Sequence, residues 1–226
     1  MATYNNFGAT VSEVVASYPG IAVDDLGGTA VAQAVVDRAA RTVLAALPES
    51  VHRILTDKVS LEVVSSSGRP GTVFKLGVSP VVDGSVYLFR SDGRPNVRPV
   101  IDSVYEDTNF TQVDQTITLA TALLDTEWLM ATYRIDPTDA SFAWPSVADI
   151  VVWCAAAEIG ARLFISSPDG GMELVTTYRD KCEASLKALA AGEWIPEEVR
   201  SLGFYDDIAP SDGGMSGFGS VPIRRA

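Results

Sequence analysis

One histidine, two cysteines and four acidic doublets are this chain's main candidates for chemistry. His52 could serve as the base of a Ser or Cys nucleophile. No Gly-x-Ser-x-Gly elbow exists to present a serine to it. It follows Pro48 in a short amphipathic segment, beside Arg53, and reads as a surface or helix-packing histidine. Cys154 and Cys182 fall on the apolar stripes of adjacent helices. They could face each other across a hairpin, but in a reducing compartment they are expected to stay inert, buried thiols. A His cluster, a Cys₄ zinc site and a disulfide framework are excluded by count. The doublets are Asp24-Asp25, Glu106-Asp107, Glu197-Glu198 and Asp206-Asp207. Adjacent carboxylates diverge on a strand and lie about 100° apart on a helix, so none is a shared-proton dyad. Asp102, Glu106 and Asp107 could approach Ca²⁺, but no Asp-x-Asp-x-Asp-Gly loop is present. Gly27-Gly28 could offer backbone N–H groups to an anion. No lysine follows at Walker spacing, and the pair reads as a hinge before a capped helix. No convergent set of titratable groups emerges, so no catalytic residue, cofactor or metal is expected, and the chain reads as a non-enzyme.

These residues sit on a chain of 226 residues, 47% hydrophobic and 20% charged, which is the composition of a folded protein. The net charge of −12 and a pI near 4.4 argue against a surface that grips nucleic acid or anionic lipid. No apolar run approaches the roughly 20 residues that span a bilayer. The opening MATYNNFGAT has neither a basic nor an apolar leader pattern, so a soluble intracellular product is expected.

The hydrophobic period changes twice along the chain. Residues 10–57 read as helical. Ala32, Val35, Val36, Ala39, Val43, Ala46 and Leu47 recur at offsets of three and four, with Thr29 as N-cap, Pro48 as terminator and Asp37–Arg41 as an outer ion pair. Val11–Ser17 and Glu49–Leu55 are shorter helical segments. From Lys58 to Asp136 the period is two, in about six strands separated by turn sequences. Asp83-Gly84 and Asp92-Gly93 suit tight hairpins. The helical period then returns. Pro145 opens a helix whose stripe is Val147, Ile150, Val151, Cys154, Ala157, Ala161, Phe164 and Ile165. A loop at 166–171 leads to a second helix, with Val175, Tyr178, Cys182, Ser185, Leu186 and Leu189 inward and Gly192 at its end. Glu158–Arg162 and Glu183–Lys187 are the expected outer pairs. Beyond Pro196 the sequence turns small and polar, with Phe204, Tyr205, Ile208, Met215, Phe218, Val221 and Ile223 at intervals and Arg224-Arg225 near the end. Such a segment cannot fold alone, but it can clamp onto a partner.

The expected fold is α+β. A helical bundle is made by residues 1–57 and a hairpin at 138–195. An antiparallel β-sandwich or barrel-like module at 58–137 is inserted between them, and 196–226 is an extended C-terminal tail. Neither helical part has enough surface for a core of its own, so the two should pack together.

The order of these blocks carries a resemblance. A long helix closed by Leu47-Pro48, an alanine-rich helix from Pro145 to Ile159, and a helix with Tyr178, Leu186 and Gly192 in its pattern resemble the head–tail adaptor (connector or head-completion) proteins of tailed bacteriophages. The β module departs from the minimal all-helical form of that family. The resemblance implies a structural virion protein at the head–tail junction, assembled in the host cytoplasm. It implies a homo-oligomeric ring of about twelve copies, a dodecamer, joining the portal protein to the next neck or tail protein. The bundle and the tail, through Phe204, Tyr205, Ile208, Met215, Phe218, Val221, Ile223, Arg224 and Arg225, would meet the portal. DNA would pass through the lumen without specific binding, and no membrane is involved. The alternative is a non-catalytic binding module whose β-sandwich takes a carbohydrate or protein ligand on Trp128, Tyr133, Tyr87 and Tyr105. The odd spacing of Trp128 and Tyr133 puts them on opposite faces of one strand, which weakens that platform.

Overall fold

The computed structural model describes residues 5–65, 68–91, 104–164, 171–200 and 202. Local chemistry sets the helix ends. Helix α1 (Val11–Ala16) opens with a capping box. The Thr10 hydroxyl accepts from the Glu13 N–H at 3.3 Å, and Glu13 Oε2 accepts from the Thr10 N–H at 2.8 Å. Helix α2 (Thr29–Ala46) is capped one residue earlier than expected. Gly28 takes the N-cap position with φ 93°, a conformation a side chain resists, and Thr29 is the first helical residue. Leu47 is extended before Pro48, as a residue preceding proline should be. Helix α3 is Glu49–Thr56, α4 is Pro145–Leu163, α5 is Gly171–Ala190 and α6 is Glu197–Arg200. Helix α5 is closed by Gly192, φ 68°. The Gly192 N–H donates to the Leu189 carbonyl and the Glu193 N–H to the Ala188 carbonyl, which is the Schellman pairing.

Seven strands are described, all paired antiparallel. They are β1 (Val59–Ser65), β2 (Gly71–Lys75), β3 (Tyr87–Ser91), β4 (Val104–Asp107), β5 (Phe110–Val113), β6 (Thr116–Leu123) and β7 (Trp128–Tyr133). One sheet has the order β1-β7-β3-β4 and the other β2-β6-β5. The described strands form these two sheets and no closed barrel. Asp83-Gly84 does not join a hairpin, because β2 pairs with β6 while β3 pairs with β7 and β4. The tight turn falls instead between β5 and β6, where Asp114 takes φ 51°. Asp92-Gly93 lies outside the described residues.

The chain divides into two units. One takes residues up to Pro48 together with Pro137–Pro196, and the other takes Glu49–Asp136 together with Glu197–Arg200 and Leu202. Two elements therefore sit apart from their expected places. Helix α3 belongs to the β-containing unit, where Val51, Ile54 and Leu55 are buried. The start of the expected tail is folded there too, as α6, with Val199 and Leu202 buried.

In the helical unit, α4 packs on both α2 and α5. Its buried face is small: Cys154, Ala155, Ala156 and Gly160 sit beside Ile150, Val151 and Ile159. A Cβ on Gly160 would lie 2.2 Å from the Tyr18 hydroxyl and 2.5 Å from Val175 Cγ2. Tyr18 fills that space and donates to the Ala156 carbonyl at 2.8 Å. Its ring meets Phe164 and Tyr178, each at 5.7 Å between centroids. Burial, with Tyr178 nearby, pushes the Tyr18 hydroxyl up to about 12, so it stays a neutral donor. A second aromatic group, Phe7, Phe142 and Trp144, joins the N-terminal segment to the approach of α4, and the Trp144 backbone N–H donates to the Phe7 carbonyl at 2.9 Å.

Cys154 and Cys182 are joined by a disulfide, which overturns the expectation of two inert thiols. The predicted stripes do face each other, and they bring the two Cα atoms to 5.0 Å. That is inside the roughly 4.4–6.8 Å that disulfides need. Closing a loop over a separation of 28 residues stabilises by roughly 3–4 kcal/mol in the chain-entropy account. The outer ion pairs also differ in part. Glu158 pairs with Arg162 as expected and with Arg38 as well. Asp37 instead accepts from Asn6 and Gln33, each at 2.8 Å. Neither Asp37–Arg41 nor Glu183–Lys187 pairs among the described residues.

Substituting Gly160→Ala should destabilise the chain by about 2 kcal/mol or more in urea unfolding, because both neighbours of the new methyl are themselves packed. An unchanged midpoint would mean that Tyr18 is free to withdraw.

Candidate functional site

Two clusters of buried ionisable groups lie in the β-containing unit. The first is built on Glu62 of β1, which is 4% exposed. Its Oε2 accepts from the Tyr133 hydroxyl of β7 at 2.6 Å, and its Oε1 accepts from the Gly77 N–H at 2.8 Å. The Tyr133 hydroxyl in turn accepts from the Val78 N–H at 3.2 Å. A Cβ at Gly77 would stand 2.8 Å from Glu62 Oε1 and 3.0 Å from Leu202 Cδ2, so the end of one of these side chains would have to shift. Loss of surrounding water pushes the Glu62 carboxyl up to about 7, against the lowering effect of its two hydrogen bonds. Burial, with the neighbouring Glu62 charge and hydrogen bond, also drives the Tyr133 hydroxyl upward. A carboxyl near 7 is suited to proton transfer. Here both oxygens are engaged and Tyr133 is fully buried, so the pair joins β1, β7 and the 76–78 segment.

The second cluster centres on Arg90 of β3, also 4% exposed. Its Nε donates to Asp107 Oδ2 of β4 at 2.6 Å and its Nη1 to Glu127 Oε2 at 3.3 Å. Its terminal N–H groups also reach the carbonyls of Thr121 and Ala122 on β6. The guanidinium therefore ties the four-stranded sheet to the end of a strand in the other sheet. Glu127 is oriented in turn by the Leu124 N–H at 2.8 Å. The planar fork of arginine suits this convergence of carboxylates and carbonyls, which a lysine could not match.

The residues singled out from the sequence are not brought together. His52 lies half-buried on α3, its carbonyl accepting from Thr56 Oγ1. Asp25 Oδ2 accepts from the Ala22 N–H within its own turn. Asp107 is held by Arg90 and by the Asn109 N–H, so the expected approach to Ca²⁺ loses one carboxylate to an internal salt bridge, and Asp102 lies outside the described residues. Among the described residues no three His, Cys, Asp or Glu side chains group as a metal ion would require. The aromatic platform does not form as expected, because Tyr133 is buried against Glu62 while Tyr87 is exposed. Phe204, Tyr205, Ile208, Met215, Phe218, Val221, Ile223, Arg224 and Arg225 all lie outside the described residues. No described helix is long and apolar enough to cross a membrane. Neither Glu62 nor Arg90 belongs to any motif that sequence reasoning singles out. The one signal is a charged residue in the interior of each of two short strands.

Both clusters lead to stability measurements. Folded Glu62 holds a proton that the unfolded chain has released between about 4.5 and about 7. Its contribution is thus fully present below about pH 4.5 and is lost as pH rises through about 7, by an amount on the order of 3 kcal/mol. Glu62→Gln leaves one acceptor oxygen where the carboxylate has two, so it loses one of the two accepted hydrogen bonds at every pH. It also removes the titrating component, which the pH dependence of the difference between wild-type and variant unfolding across this window would display. Parallel pH profiles would show that Glu62 stays ionised. Arg90→Met should cost about 3–5 kcal/mol in chemical denaturation, since it strands two carboxylates in the interior.

Compared with protein-family models, with curated proteins and with solved structures, the chain matches none of them.

Proposed function

We propose that this chain is a structural subunit of a tailed-bacteriophage head–tail adaptor. It would form a ring of about twelve copies, take the portal on one side and the next neck or tail protein on the other, and surround the DNA channel. In this reading the helices make one bundle and the β unit is a sandwich-like insertion. The observation that carries it is the discontinuity of the helical unit. Helices α1 and α2 share a unit with α4 and α5, while residues 49–136 between them belong to the other. That is the block order on which the resemblance rests, with Pro48 closing α2, Pro145 opening α4 and Gly192 closing α5.

Three further features support it. A net charge of −12 suits a wall along which DNA must slide without being gripped. Exposed apolar side chains occur on both units: Val31, Met172 and Leu174 on the helical one, Val73 and Val113 on the other. A ring built from heterologous contacts needs such groups on differing faces of each subunit. The Cys154–Cys182 bridge suits a particle that leaves the cell for oxidising surroundings.

Removal of everything after Gly203 tests the proposal. The truncated chain should unfold at the same temperature as the intact one and fail to join a ring or a portal in native mass spectrometry. Crosslinks from the intact chain to a portal-like protein should originate in residues 196–226. Assembly that persists without the segment would remove the tail from the account.

A further inference from the structure

We infer that Cys154 and Cys182 form a redox-responsive staple of the α4–α5 hairpin, opened and closed by exchange with small thiols and disulfides at Cys182. The inference rests on the contact between these two helices and is independent of the adaptor reading.

Helix α5 is thinly buried: besides the disulfide it is held by Tyr178, whose ring meets Tyr18 and whose hydroxyl donates to the Ser17 carbonyl at 3.3 Å. Only Gly171, Val175 and Leu189 of its 20 residues are buried. The contact between α4 and α5 runs as antiparallel rungs. Val175 meets Gly160, Cys182 meets Cys154, and the Lys181 ammonium lies over the Trp153 ring at 5.4 Å from its centroid. The disulfide adds a covalent attachment in the stretch of α5 between Val175 and Leu189, where Tyr178, Ser185 and Leu186 are only half-buried.

The two cysteines differ in exposure. Cys154 is 9% exposed, on the small-residue face of α4 next to Ala155 and Ala156. Cys182 is half-buried on a helix whose neighbouring positions 181, 183 and 184 are exposed. Exchange requires a thiolate to approach a sulfur, so access selects Cys182 as the sulfur met first and Cys154 as the resolving thiol.

With oxidised glutathione as oxidant the steps balance. The Cys182 thiolate attacks one glutathione sulfur, forms a mixed disulfide and releases one glutathione thiolate. The Cys154 thiolate then attacks the Cys182 sulfur and releases the second. Two protein thiols and one glutathione disulfide become one protein disulfide and two glutathione thiols, and two electrons pass from protein to glutathione. Opening is the reverse, with two equivalents of reduced glutathione. The hairpin is then unstapled where thiols are kept reduced and stapled after transfer to oxidising surroundings.

The test uses the full chain in glutathione buffers of graded ratio, followed by thiol alkylation and intact mass. One reversible two-electron transition is expected, with the transition temperature lower on the reduced side by something on the order of 10 °C. Brief alkylation of the reduced wild type, mapped by peptide mass, should label Cys182 well before Cys154. In glutathione disulfide, Cys154→Ser should accumulate a stable adduct at Cys182, whereas Cys182→Ser should gain little at Cys154. Two freely alkylated thiols under oxidising conditions, or equal melting in both states, would overturn the staple. Equal or reversed labelling of the two cysteines in the wild type would overturn the assignment of Cys182, whether or not the serine variants fold.

Discussion

The helical unit depends on a close approach at Gly160. Where a helix pair is commonly held apart by leucine or phenylalanine side chains, α4 presents Cys154, Ala155, Ala156 and Gly160. The gap that this leaves is filled from outside the hairpin by Tyr18, whose hydroxyl bonds the Ala156 carbonyl. One side chain thereby anchors the segment after α1 to both helices of the hairpin, through Gly160 on one side and through Phe164 and Tyr178 on the other. Small residues allow intimate contact but bury little apolar area each, so the disulfide and the aromatic contacts carry stability that larger side chains would otherwise provide.

The β-containing unit solves a different problem. Its two sheets are short, and the strands carry ionised or ionisable groups into the interior. Arg90 satisfies two carboxylates and two carbonyls at once, and Glu62 satisfies a hydroxyl and an amide. Buried charges of this kind are poor sources of net stability, because desolvation offsets much of the Coulomb attraction. They are strongly directional, however, and a wrong register would leave them unpaired. Their positions at the β3–β4–β6 and β1–β7 junctions fit a role in selecting one pairing of the strands.

Both units are discontinuous in sequence. Residues 137–196 complete a unit begun before Pro48, and residues 197–200 with Leu202 belong to the unit begun at Glu49. The adaptor proposal makes use of this arrangement, since an inserted β unit can vary without disturbing the helices that frame it.

Much of the local structure is written in the amino-acid sequence. The period of Ala32, Val35, Val36, Ala39 and Val43 specifies α2, while Pro48, Pro145 and Gly192 mark helix ends. Alternation marks most of the strands, because these signals act within one turn or one pleat. The Thr10–Glu13 capping box is a local signal of the same kind. Only the tertiary structure decided which segments meet. Asp83-Gly84 is a sound hairpin sequence, yet β3 pairs with β7, far along the chain, and no local signal encodes that choice. Arg90, Glu62, Tyr18 and the Cys154–Cys182 bridge acquire their roles from partners distant in sequence. Such pairings are fixed by burial and complementary hydrogen bonding in three dimensions, which the composition of a single segment does not determine.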